Sequence, residues 1–234
     1  MKYMTKEWYE TMQKTSLHML LKPSERAATF SEEYFQEVYA NAEAEWVEFR
    51  TSVFKTKEEV EKENFMQTHL LGVYVLKSKL PDDILKQVAD IRVFALHYAT
   101  DEVIKSITEY CKENERAVDK AFSDYYDYFN REFKSSKPDF LENFHFHDCE
   151  IISCEEDGND LLISLDNSGS VSNVDQIRLM DYQLIKKDGD LSGGVCKYEE
   201  IYKNCERYEL HFLIMQDEMI DFIVTASDVK YRIN

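Results

Sequence analysis

"NFHFHDCEIISCEEDGND", Asn143 to Asp160, is the stretch whose reading decides the fold. Its apolar run "CEIISCE" ends at Asp157-Gly158 and leads into a second run, "DLLISLD". An Asp-Gly pair between two such runs is a hairpin signal, because glycine accepts the positive φ that a tight turn requires. The same grammar continues to the C-terminus. "DQIRLMDYQLI", "VCKYEEIY", "YELHFLIM" and "MIDFIVTA" read as strands, and Asp188-Gly189 reads as a second hairpin-type dipeptide. Ile220, Phe222, Val224 and Ala226 alternate with Asp221, Ile223 and Thr225, the period of a sheet with one deeply buried face.

Upstream of this stretch the grammar changes. Gly72 is the one glycine before Pro138, whereas Gly158, Gly169, Gly189, Gly193 and Gly194 follow it. A chain so poor in turn residues reads as helical. Ile84, Val88, Ile91 and Ala95 repeat at helical spacing after Pro81, Asp82 and Asp83, which suit a helix start. Thr100 is a candidate N-cap for a helix of more than 30 residues through Val103, Ile107, Tyr110, Val118, Ala121, Tyr125 and Phe129. Earlier helices are expected over Lys6–Leu21, Ser31–Phe54 and Lys57–Lys79, the last with a capping box between Thr56 and Glu59. The reading is α+β: a helical domain over residues 1–137, a linker at "KSSKP" (134–138), and an acidic antiparallel β-domain over 138–234.

Composition narrows the function classes. The 234 residues are 44% hydrophobic and 13% aromatic, enough for a real core. The net charge of −18 would repel a phosphate backbone and an anionic membrane surface, so neither nucleic acid nor membrane is expected as a partner. Neither a signal peptide nor a membrane-length apolar run is read in the sequence. Five cysteines without a CxxC point to reduced thiols in a cytoplasm. Residues 138–234 carry 21 acidic and 8 basic side chains, most of the chain's negative charge.

"MKYMTKEWYETMQ", "LPDDILKQVADIRVFAL", "FHDCEIISCEEDGNDLLISLDN" and "KYEEIYK" resemble the recurring segments of an uncharacterised bacterial family, a domain of unknown function whose members open M-K-Y-F-T-K-E. The likeness spans nearly the whole chain. It departs at Met4, where the family has Phe, and at His97, where it has Gly. The resemblance implies no activity and no catalytic residues. The C-terminal part also resembles, loosely, β-rich domains of bacterial toxin-immunity systems, which implies a binding role by analogy.

On an extended strand His145, His147 and Cys149 would face one side and, with His211 from a neighbouring strand, can hold zinc. The simpler reading makes Phe144 and Phe146 core residues, with His147 and Asp148 bonding backbone where the strand begins. Cys149 and Cys154 lie near His147, but their acidic surroundings disfavour a thiolate. The aromatic group Phe122, Tyr125, Tyr126, Tyr128, Phe129 and Phe133 can floor a pocket, though a helix-helix core or an interdomain contact is the simpler use. His18, His69 and His97 sit singly on expected helices, where packing or capping accounts for them. "DNSGS" (166–170) lacks the final Glu of a calcium loop and reads as a solvated turn. No phosphate-binding glycine loop, nucleophile elbow or HExxH is present. The favoured expectation is therefore a cytoplasmic, non-enzymatic binding protein without a cofactor. Its acidic tips, Glu155, Glu156, Asp157, Asp188 and Asp190, would engage a basic protein partner. The alternative is a zinc-dependent enzyme centred on His145, His147 and Cys149.

Overall fold

The computed structural model describes residues 1–134 and 137–233; positions 135 and 136, inside the expected linker, lie outside the described residues. The chain is α+β. Helices α1 (Lys6–Met12), α2 (Glu32–Phe54), α3 (Glu58–Lys79), α4 (Asp82–Leu85), α5 (Ile91–Ala95) and α6 (Asp101–Phe133) precede the sheet. Two-residue strands β1 (Lys22–Pro23) and β2 (Tyr98–Ala99) form a small parallel pair. Eight strands follow: β3 (Glu150–Asp157), β4 (Asp160–Asp166), β5 (Val174–Met180), β6 (Gln183–Lys187), β7 (Val195–Asn204), β8 (Arg207–Met215), β9 (Met219–Ala226) and β10 (Asp228–Ile233). Their order is β10-β5-β4-β3-β7-β8-β9-β6, and every pairing is antiparallel.

Two compact units emerge, and they do not follow the change of secondary structure at Pro138. Residues 13–116 form one; residues 1–12 and 117–234 form the other, so the division falls inside α6.

In the helical unit, Ser31 caps α2 by accepting from Tyr34 N at 3.2 Å. Glu61, fully buried near the start of α3, accepts from Trp46 Nε1 (3.1 Å) and Arg50 Nε (3.2 Å) on α2, which pins the two helices together. The expected Thr56/Glu59 capping box is not formed: Lys57 is the N-cap, and Thr56 donates to Arg50 O at 3.4 Å. The helix expected over Lys6–Leu21 stops at Met12, and Met19 and Leu21 instead bond three residues back, in tight turns around Ser16 and His18. The expected helix after Pro81 also breaks, because Asp90 caps a fresh start by accepting from Arg92 N at 2.9 Å. Thr100 does cap α6, accepting from Val103 N at 3.3 Å. His97 has φ 72, a left-handed backbone that glycine takes without strain.

In the β-rich unit, the Asp157-Gly158 hairpin joins β3 to β4, with Gly158 at φ 64. Asp188-Gly189 is not a hairpin: β6 pairs with β9, and β7 pairs with β3 and β8. "DQIRLMDYQLI" is two strands, β5 and β6, broken at Asp181, whose φ is 46. The sheet has two four-stranded halves, because β3 meets β7 in the ladder only at Glu150↔Val195. Beyond that point α6 covers the β7 edge. Ile201 N donates to the Tyr125 hydroxyl (2.9 Å) and Lys203 N to the Tyr128 hydroxyl (3.1 Å), two rungs that a strand would otherwise supply.

The N-terminal segment is bound to the same strand. Glu200 on β7 is fully buried and accepts from Lys2 N (2.8 Å), Tyr3 N (3.0 Å) and Met4 N (2.5 Å), and from the Tyr202 hydroxyl. Trp8 on α1 donates to Val118 O (3.1 Å) and sets its ring edge-on to Tyr198 at 4.8 Å. A carboxylate out of water is stable only when donors surround it, and here the backbone supplies three of them. Glu200→Ala is expected to destabilise the protein by roughly 2–4 kcal/mol in urea unfolding, limited because the released segment can rehydrate. It should also expose residues 1–12 to proteolysis, and Glu200→Gln, which keeps an acceptor, should cost less. An N-terminus as protected in Glu200→Ala as in the parent chain would contradict this assignment.

Candidate functional site

Three pieces of the β-rich unit enclose a cleft of about 540 Å³. α6 contributes Phe122, Tyr125, Tyr126 and Phe129; the segment before β3 contributes Phe144, His145 and His147; β7 contributes Lys197, Tyr198 and Glu199. Met4, held in place by Glu200, completes the wall. Each element presents these residues for a local reason. Positions 122, 125, 126 and 129 fall three or four apart and share a helix face. Phe146 plugs the sheet core with no exposed surface, which leaves Phe144 and His145 at the rim.

The expected strand geometry of His145, His147 and Cys149 is corrected by the structure. Residues 144–148 are irregular, and Asp148 has φ 62. Asp148 N donates to Cys196 O (2.8 Å) and Cys196 N to Cys149 O (2.9 Å), so two residues face one across the ladder in a bulge. The extra residue breaks the two-residue repeat. Cys149 turns into the core at 0% exposure, while His145 and His147 line the cleft. His147 Nδ1 bonds the Lys197 carbonyl, as the simpler reading had it for His147. Asp148 instead takes the Lys197 ammonium at 2.7 Å. His211, only 3% exposed on β8, bonds Glu209 at 2.7 Å and lies 4.0 Å from Glu200, on the side of β7 that carries the N-terminal segment. Among the described residues no three His, Cys, Asp or Glu side chains are placed to share a metal ion. Burial pushes the Cys149 thiol up and the Cys154 thiol up to about 11, which keeps both protonated near neutral pH.

Glu199 is the residue that sequence reasoning missed. Its Oε1 accepts from Phe146 N at 3.3 Å and lies 3.4 Å from His145 Nδ1; its Oε2 is buried with no hydrogen-bond partner. The hydrogen bond from His145 to Glu199 raises the His145 imidazole pKa against the opposing effect of burial. The contact favours the folded chain below the ordinary imidazole range, and that contribution is lost as pH rises through the raised value. Nothing in the sequence distinguishes Glu199 among 46 acids.

The acidic tips form two separate groups. Glu155, Glu156 and Asp157 belong to the β3–β4 hairpin, where the Tyr182 hydroxyl donates to Glu156 and Arg178 holds Asp157 at 2.7 Å. Asp188 and Asp190 follow β6, and Asp188 is bridged by Lys6 (3.0 Å) and Lys186 (3.1 Å). Tyr182 immediately precedes β6 and Asp188 immediately follows it, so this strand of five residues, about 16 Å long, separates the groups. Glu155, Asp188 and Asp190 are exposed.

The His145–Glu199 contact has a direct spectroscopic consequence. By NMR, His145 should titrate above the ordinary imidazole value, and Glu199→Gln should bring it down while the rest of the spectrum stays folded. An unchanged titration in Glu199→Gln would show that this carboxylate is not what His145 meets.

No helix of the described residues is long and apolar enough to cross a membrane. The searches of curated proteins and of solved structures returned no match. A family model described as "Protein of unknown function (DUF4085)" matches residues 3–223. With nearly its whole length matched, including the N-terminal segment, the cleft and all but the end of β9 and β10, the chain belongs to the DUF4085 family.

Proposed function

We propose that this chain is a non-catalytic binding protein whose acidic β-rich unit engages a basic protein partner. The observation that carries the reading is the imbalance of 21 acidic against 8 basic side chains over residues 138–234. Such a field attracts a basic surface from a distance and accelerates encounter. Two tip acids, Asp157 and Asp188, already have local cations, so the exposed Glu155 and Asp190 and the summed field contribute more than any one bridge. The aromatic cleft supports the same reading, since an apolar recess bordered by charge is a common anchor for a partner side chain.

A lysine-rich peptide passed over immobilised protein tests this. Its association rate should fall as NaCl rises from about 0.05 to 0.5 M, a range over which the Debye length shrinks roughly threefold. Glu155→Lys with Asp190→Lys should slow association more than it speeds dissociation. Association that ignores both salt and charge reversal would refute the reading.

A further inference from the structure

We propose that a recess adjoining the cleft seats one arginine side chain of the partner, its stem across Phe122 and its guanidinium at the Asp119 carboxylate. The inference rests on the basic-partner reading above and deepens it by naming the group that enters and the acid that receives it. The recess holds about 450 Å³. α1 contributes Trp8 and Met12, β7 contributes Tyr198, and α6 contributes Asp119, Phe122 and Tyr126. Phe122, Tyr126 and Tyr198 also line the cleft, so the two spaces share a wall. Trp8 is a rigid floor: it is buried, its Nε1 donates to Val118 O at 3.1 Å, and its ring stands edge-on to Tyr198.

The charge in this lining is accessible and unspent. Asp119 is the one charged residue of the recess, it is exposed, and among the described residues no side chain holds its carboxylate. The lysine beside it in sequence, Lys120, is taken by Asp124 at 2.5 Å. No basic side chain lines the recess, so an entering cation meets only attraction there. The acid and the rings also share one direction. Asp119, Phe122, Ser123 and Tyr126 fall at i, i+3, i+4 and i+7, one face of α6. Asp119 and Tyr126 stand two turns apart, about 10 Å at the helical rise, the reach of an extended basic side chain with the backbone that carries it.

Two features separate arginine from lysine. Both Asp119 oxygens are free, and a guanidinium fork bonds two carboxylate oxygens at once, whereas an ammonium is a strongly hydrated point charge. Phe122 and Tyr126 are large rings with 49% and 62% of their surface exposed. A planar cation stacks on such faces, and its alkyl stem covers apolar surface at the same time. Exposed aromatic rings beside an unpaired carboxylate thus favour a flat cation over a neutral or acidic side chain.

The test uses the full chain and three capped peptides with one central residue between glycines: arginine, lysine, or citrulline, which keeps the shape of arginine without its charge. The chain has two tryptophans, Trp8 in the recess and Trp46 within residues 13–116, so the Trp8 indole N–H is a local NMR reporter and Trp46 its internal control. The arginine peptide should shift Trp8 and the Phe122 and Tyr126 rings saturably and leave Trp46 still. It should bind about fivefold tighter than the citrulline peptide, the upper range for an ion pair at a partly exposed site, and tighter than the lysine peptide. Asp119→Asn removes no contact of the folded chain and should abolish the preference for arginine over citrulline. Equal binding of arginine and citrulline, or indifference to Asp119→Asn, would overturn the inference; salt-dependent association of a lysine-rich peptide would then leave the broader reading standing alone. Arginine-specific, Asp119-dependent shifts beside a lysine-rich peptide that ignores salt would keep the recess and sink the acidic-field reading.

Discussion

The β-rich unit depends on a buried carboxylate. Glu200 has no exposed surface, and its charge is tolerable there because Lys2, Tyr3 and Met4 turn successive backbone N–H groups onto it. The dependence is mutual. The N-terminal segment is also tied down by Lys2–Glu209, Lys6–Asp188 and the Tyr3 ring contacts, but Glu200 takes three of its backbone N–H groups and has no water to turn to. Once the segment is fixed, Met4 stands in the cleft wall and Trp8 can reach both Val118 and Tyr198. A contact nearly 200 residues long in sequence thus shapes the edge of the site, and it explains why residues 1–12 group with the sheet.

The cleft itself follows from a mismatch in strand pairing. β3 leaves β7 after one paired rung, and a bare strand edge has to be covered. α6 covers it with two tyrosine hydroxyls, which bond Ile201 N and Lys203 N. Between the end of β3 pairing and the first of these tyrosines, β7 presents Lys197, Tyr198 and Glu199 to a gap that no strand fills. The bulge at Asp148–Cys149 sends the preceding histidines to the same gap. Helix, bulge and strand therefore meet where regular structure fails, as ligand sites often do.

The fold class was legible because it rests on local signals. Glycine placement, the Thr100 cap and the Asp157-Gly158 turn each act over a few residues, and each is found in the structure. β10 was not read as a strand, although Val229, Tyr231 and Ile233 alternate with charged residues. What else escaped was non-local. Asp188-Gly189 carries hairpin chemistry, yet β6 finds β9 instead of β7, a choice made by packing across the sheet. The expected placement of His145, His147 and Cys149 on one strand face failed on one dihedral angle: Asp148 adopts a left-handed backbone that Asp tolerates but does not announce. The aromatic group on α6 was noticed as a pocket floor, but the simpler helix-core reading was preferred; in the structure its members line the cleft, cap β7 and, through Phe133, enter the sheet core. Glu199 and Glu200 are neighbours of identical chemistry with opposite fates, because successive strand residues face opposite sides.

The central claim is that recognition of a basic partner is anchored at this cleft. Its most direct measurement is an NMR footprint of a lysine-rich peptide on the whole chain, read at backbone amides and aromatic rings. The account predicts the largest, saturable shifts at Phe122, Tyr126, Phe144, His145 and Glu199, with weaker, salt-sensitive shifts at Glu155 and Asp190. Shifts confined to the acidic tips, or centred on residues 13–116, would contradict it.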